Sequence, residues 1–185
     1  MSILLALGCA VAYGLADFVG GVMSRRTTMW AVAVAAQFVA AVLTTGLALA
    51  FVGDPATTDW LWALGAGVGS GGGTVFLYRG LGSGRMGVVA PLSAVGTALV
   101  PLVVGVVAGE RPGALTWTGV VLALPAVWLV ARTPDTGTST SSAAQDLTNG
   151  LLAGLGFGAL FAALGQVPER PASDRSRSRS GAPWS

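Results

Sequence analysis

The sequence predicts an all-α integral membrane protein of about six transmembrane helices, and three observations lead there. Apolar residues make up 53% of the 185-residue chain and charged residues only 10%, against about 25% charged in an ordinary soluble domain. The apolar residues gather into runs at 3–23, 30–52, 60–78, 86–108, 114–131 and 149–167, each close to the ~20 residues a helix needs to cross a bilayer core. Tryptophans stand at the borders of these runs, Trp30, Trp60, Trp62, Trp117 and Trp128, where aromatic side chains anchor at the headgroup level. Mean hydropathy is +0.72. None of the runs alternates with the period of a strand.

The first run holds Tyr13-Gly14 and, one turn on, Asp17, the only acid inside a predicted span. A carboxylate at a helix centre costs about 2.5–3.5 kcal/mol on insertion scales. Such a residue faces a cavity or a partner and marks an ion or substrate path; the structural alternative is hydrogen bonding towards the helix exit near Arg25 or Arg26. No basic segment precedes the run, and it is too long for a signal-peptide core, so no cleavable leader is expected. The second run carries Gln37, a further polar candidate for the path.

The third run is glycine-rich. Gly65, Gly69 and Gly73 recur every fourth residue, which lays them along one helix face that a neighbouring helix can approach closely. A dinucleotide-binding loop is excluded, because no strand precedes these glycines. Tyr78-Arg79 reads as an interface anchor. The fourth run has no charge from Met86 to Ala108 and contains Pro91 and Pro101. Prolines are tolerated in a membrane helix where neighbours or a cavity satisfy the freed carbonyls. Ser93 and Thr97 share one face and give this helix a partly polar side; the alternative is that each hydroxyl bonds its own backbone one turn back. The run stops at Gly109-Glu110-Arg111-Pro112-Gly113.

After the fifth run, residues 133–148 are rich in Thr and Ser and are expected to form a polar, flexible linker. The sixth run repeats two earlier features. Gly150, Gly154 and Gly158 have the spacing of Gly65, Gly69 and Gly73, and Phe157-Gly158 echoes Tyr13-Gly14. These glycines are expected to pack helices, the alternative being that they make room for a substrate. Residues 168–185 alternate Arg and Ser and are expected to be disordered, either a basic surface arm or the product of a frameshift out of a GC-rich gene.

All ten basic residues are Arg, which with the Ala, Gly and Val excess points to a bacterial source. Arg25, Arg26, Arg79, Arg85 and Arg132 fall at one end of alternating spans and Arg111 at the other. The positive-inside rule then puts the loop after the first helix in the cytoplasm. There is no His and a single Cys, Cys9, so no metal or cofactor and no internal disulfide is expected. No nucleophile–base pair or paired carboxylates are visible, which argues against an enzyme, and no nucleic acid is expected as a partner.

A proline-bearing apolar helix that exits through Gly109-Glu110-Arg111-Pro112, followed by Thr116-Trp117-Thr118-Gly119 at the start of the next, resembles the fourth and fifth helices of an EamA repeat of the drug/metabolite transporter superfamily. The resemblance covers roughly residues 3–132 and resumes over about 149–166. It implies one five-helix repeat, then the first helix of a second repeat of inverted topology, as in many transporters. It further implies alternating-access transport of small organic metabolites or drugs across the bacterial cytoplasmic membrane. The expected path comprises Tyr13, Asp17, Gln37, Pro91, Ser93 and Thr97, with Glu110 as a structural corner. The expected partners are the lipid bilayer, a small-molecule substrate, and either a second copy or a second repeat not seen in this chain. The resemblance also implies a cytoplasmic N-terminus, in conflict with the arginine distribution. With one repeat and one further helix, the chain alone is expected to transport nothing; the alternatives are a non-transporting remnant and an accessory membrane protein.

Overall fold

Each apolar run folds into a helix. A computed structural model describes residues 2–50, 56–83, 86–131 and 141–167. The helices are α1 (Ser2–Arg26), α2 (Met29–Ala50), α3 (Thr57–Ser83), α4 (Met86–Val107), α5 (Ala114–Ala131) and α6 (Ala143–Leu164); no strand occurs among the described residues. The spans Leu4–Arg26, Met29–Ala50, Met86–Val107 and Ala143–Leu164 are by themselves long and apolar enough to cross a bilayer. Helix α3 is longer, with 27 residues, but its glycines and charged ends lower its hydropathy. Arg85, most of the linker and the Arg-Ser tail lie outside the described residues.

Two boundaries differ from the sequence reading. Helix α3 continues past Tyr78 to Ser83, because Leu81 is fully buried in the helix core and Gly80 lets the helix end approach Val89 and Asn149. Helix α6 starts at Ala143, inside the stretch expected to be linker. Its start is fixed by a capping box: the Gln145 N–H donates to Ser142 Oγ at 3.3 Å, and the Ser142 N–H donates to Gln145 Oε1 at 3.1 Å. Hydropathy alone missed these first turns, which are polar.

The exit of α4 is equally specific. Gly109 adopts φ +96°, its N–H donates to Val106 O at 3.0 Å, and the Glu110 N–H donates to Gly105 O at 2.9 Å. This is a Schellman motif, which caps otherwise orphaned carbonyls and needs a residue with positive φ. The Glu110 carboxylate folds back over Gly105, where a Cβ would stand only 2.6 Å from Oε2. Glu110 thus sits in a backbone-defined corner.

The register of α6 follows from its close approaches. Gly80 meets Asn149, Gly73 meets Phe157, and Gly69 meets Leu160, so α6 runs antiparallel to α3. Leu92 meets Gly150, Gly96 meets Gly154, and Val100 meets Gly158, so α6 runs parallel to α4. Helix α6 is therefore wedged into the groove between α3 and α4, with α1 and α2 against α3 and α5 against α4. The buried cluster of Ala33, Leu77, Tyr78, Leu81, Val89 and Ala153 lies where these helices converge. Large apolar side chains such as Leu4, Val11, Phe38, Leu61 and Leu115 point outwards, as a lipid-facing surface requires.

Candidate functional site

The end of α1, the start of α2, the end of α3 and the start of α6 meet at one end of the bundle. They border an open cavity of about 640 Å³ lined by Ser24, Met29, Phe76, Tyr78, Arg79, Gly82, Ser141, Ala144, Gln145, Thr148, Asn149 and Leu152. Local sequence sets these walls. A Cβ at Gly20 would overlap the ring of Tyr78, and one at Gly82 would stand 3.0 Å from the Ser24 carbonyl. Bare backbone at both positions lets α1 close on α3. Arg25 Nε then donates to Leu81 O at 3.2 Å, tying the two helix ends.

Most polar groups of the wall are satisfied within it. Ser24 Oγ donates to Gly21 O at 2.9 Å, and Thr148 Oγ1 to Ala144 O at 2.7 Å. Two are not. Tyr78 and Asn149 are only 8% and 6% exposed, line the cavity, and make no side-chain hydrogen bond among the described residues. Behind the wall, Asp146 is 1% exposed. Its Oδ1 accepts from Ser141 Oγ at 2.6 Å, while Oδ2 has no partner.

The residues expected on the path are dispersed. Asp17 is half-buried on α1 and within electrostatic reach of the Tyr78 hydroxyl. Gln37 crosses from α2 to α3, its Nε2 donating to Ser70 Oγ at 3.2 Å and Thr74 Oγ1 at 3.3 Å. Ser93 is buried where α4 meets α6, beneath Gly154. Thr97 Oγ1 donates to Ser93 O at 2.8 Å, the back-bonding geometry held open as the alternative. Pro91 is half-buried on α4. Tyr13, 68% exposed, is brought to none of the others. None of these six residues lines the cavity.

The glycines divide by contact. Gly69 and Gly73 lie against α6, while Gly150, Gly154 and Gly158 lie against α4. Gly65 faces open space. Sequence reasoning missed Gly156, which meets Gly73 and Gly69 backbone to backbone, because it falls outside the fourfold spacing. It also missed Asn149 and Asp146, assigned to a linker or its edge, and took Tyr78 for an interface anchor. The signal that would have found them is Ser142-x-x-Gln145, which moves the start of α6 and places Asp146 and Asn149 one turn apart on it. A second groove, of about 470 Å³ between α4 and α5, is lined by apolar and small residues from Ala94 to Ala123.

The chain is thus a multi-pass helical membrane protein with a partly polar cavity at one end of its bundle. The chain belongs to the EamA-like transporter family, whose model matches residues 1–132. It is thus a membrane protein of a transporter family rather than of an enzyme family. No curated protein and no solved structure matches it.

Proposed function

We propose that the chain carries a small organic solute, a metabolite or drug, across the bacterial cytoplasmic membrane by alternating access. The observation that carries this reading is the cavity itself. It is bordered by the polar side chains of Ser24, Tyr78, Arg79, Gln145, Thr148 and Asn149 in a chain whose outer surface is largely apolar, and a polar solute finds hydrogen-bonding groups there. Asp17 is the proposed coupling group, acting through its proximity to Tyr78. Gln37, Pro91, Ser93 and Thr97 shape the helices around the path, and Tyr13 faces a partner surface. In this proposal α6 is the counterpart of α1 in a second repeat, and the remainder of the site comes from that repeat or from a second copy.

The test is solute flux into proteoliposomes across a metabolite panel, with the chain alone and with a second five-helix repeat fused after α6. Saturable flux in the fused form, lost in Asp17→Asn at normal expression, is expected. No flux in either form refutes transport. Flux with the chain alone shows that copies of it complete the site. Flux unchanged in Asp17→Asn leaves that residue structural.

A further inference from the structure

We propose that the groove between α4 and α5 holds one acyl chain of a phospholipid, whose phosphate pairs with Arg111 in the turn that joins the two helices. The groove shares no lining residue with the cavity, and its occupation by lipid requires only that the chain spans a membrane.

Small residues in a membrane let helix backbones approach closely, and on another side of α4 they do so, where Gly96 meets Gly154 of α6. Towards α5 the outcome is different. Ala94 and Ala98 on α4 and Gly119 on α5 border the groove and are exposed. A Cβ added at Gly119 would meet nothing within 4 Å. About 470 Å³ is left between the two helices. The walls are apolar apart from Thr116. Water, which needs about two to four polar partners, is therefore not the filler, and hydrocarbon is.

The length of the groove selects its occupant. It runs along α4 from Ala94 to Leu102 and along α5 from Ala123 back to Thr116, about 12 Å at about 1.5 Å per residue. A helix of a second copy would cross the whole hydrocarbon core of about 30 Å, whereas the acyl chains of one leaflet fill roughly half of it. The groove thus has the reach of one leaflet. It follows the first half of α5, next to the turn at 108–113, so the headgroup of such a lipid falls at that turn. Arg111 is exposed there, and Trp117 on the first turn of α5 is half-exposed. Tryptophan sits at headgroup level, and arginine donates paired hydrogen bonds to phosphate. Glu110, the acid beside Arg111, is turned back over Gly105. The charge offered at the mouth of the groove is therefore complementary to a phosphate.

The test is native mass spectrometry of the purified chain, titrated with palmitoyl-oleoyl-phosphatidylglycerol and with the diacylglycerol of the same two chains. One phosphatidylglycerol is expected to bind about fivefold more tightly than the diacylglycerol, the gain from one arginine beside an anionic headgroup. Arg111→Gln is expected to remove that difference. Ala98→Leu and Gly119→Leu fill the groove and are each expected to weaken both lipids severalfold. Leu122→Phe enlarges an exposed side chain of α5 outside the groove and is expected to leave both unchanged. Circular dichroism checks the fold of each variant, and if one groove-filling variant does not fold, the other decides. Equal binding of the two lipids, a preference unaffected by Arg111→Gln, or full retention of lipid in the groove-filling variants overturns the assignment. A dimer of the chain that those variants abolish gives the groove to a second copy and overturns it as well. Binding is read without flux, so the result stands apart from whether the chain transports a solute.

Discussion

Gly69→Ala should unseat α6, whereas Gly65→Ala, one turn earlier on α3, should not. At Gly69 an added Cβ would stand 2.6 Å from the Gly156 carbonyl oxygen and 2.8 Å from the Leu160 nitrogen, against 3.4–4 Å for ordinary contact. Both obstacles are backbone, so no side chain can swing away. Helix α6 has to back off by roughly 0.8 Å, and a gap of that order forfeits about a quarter to a half of each neighbouring contact. Overpacking of this kind costs about 1–3 kcal/mol. At Gly65 the added Cβ meets nothing within 4 Å. Both substitutions gain up to about 1 kcal/mol of helix propensity, which cancels when the two variants are compared. The difference between them therefore isolates the contact, and at about 2–4 °C per kcal/mol it amounts to roughly 2–12 °C in Tm. The assay is thermal unfolding in one detergent, followed by circular dichroism. Equal midpoints for the two variants, or a lower one for Gly65→Ala, would refute the seating of α6 on the α3 backbone.

Gln37→Leu removes the bridge to Ser70 and Thr74; interhelical hydrogen bonds in membranes average about 0.6 kcal/mol with a maximum near 1.7, so a loss in that range is expected in denaturant titration in micelles. Ser142→Ala deletes the cap of α6 and should cost about 0.5–2 kcal/mol, read as faster hydrogen exchange in the first turns of α6 with the helix centre unchanged. Arg25, Arg26 and Arg79 share the cavity end of the bundle, so the positive-inside rule places that end in the cytoplasm. Membrane-impermeant thiol reagents on intact cells of a Cys9→Ser background should then label Thr57→Cys and spare Thr27→Cys; the reverse pattern refutes the charge argument.

The six helices were legible because bilayer thickness fixes their length, and hydropathy reports that length directly. The exit at Gly109-Glu110 was legible too, since a glycine before a charged residue at the end of a long apolar helix is the written form of a Schellman cap. Other features were obscured by the same hydropathy. The polar start of α6 was taken for linker although Ser142 and Gln145 spell a capping box. The glycine face of α6 towards α4 follows its fourfold spacing, but its face towards α3 rests on Gly156, for which spacing gives no sign. Polar residues within spans drew attention as path candidates, yet Gln37 bonds Ser70 and Thr74, and Thr97 bonds its own helix.

The cavity was not legible, because no single segment contains it, but its origin can be reasoned from the pairing of α3 with α6. Towards one end of this pair, Gly69, Gly73 and Gly156 bring backbone against backbone. At the other end the same helices carry Arg79, Gln145, Thr148 and Asn149 on the cavity wall, and the Tyr78 ring lies against Gly20 of α1. Only Gly80 keeps a close approach there, beneath Asn149. The contact between α3 and α6 persists at Gly80, so the space lies beside the pair, between its polar side chains and the ends of α1 and α2. The polar side chains that border this space stand where glycines stand at the other end, so the hydrogen-bonding groups of the wall follow from one sequence feature: the change from glycine to polar residues along a single helix pair.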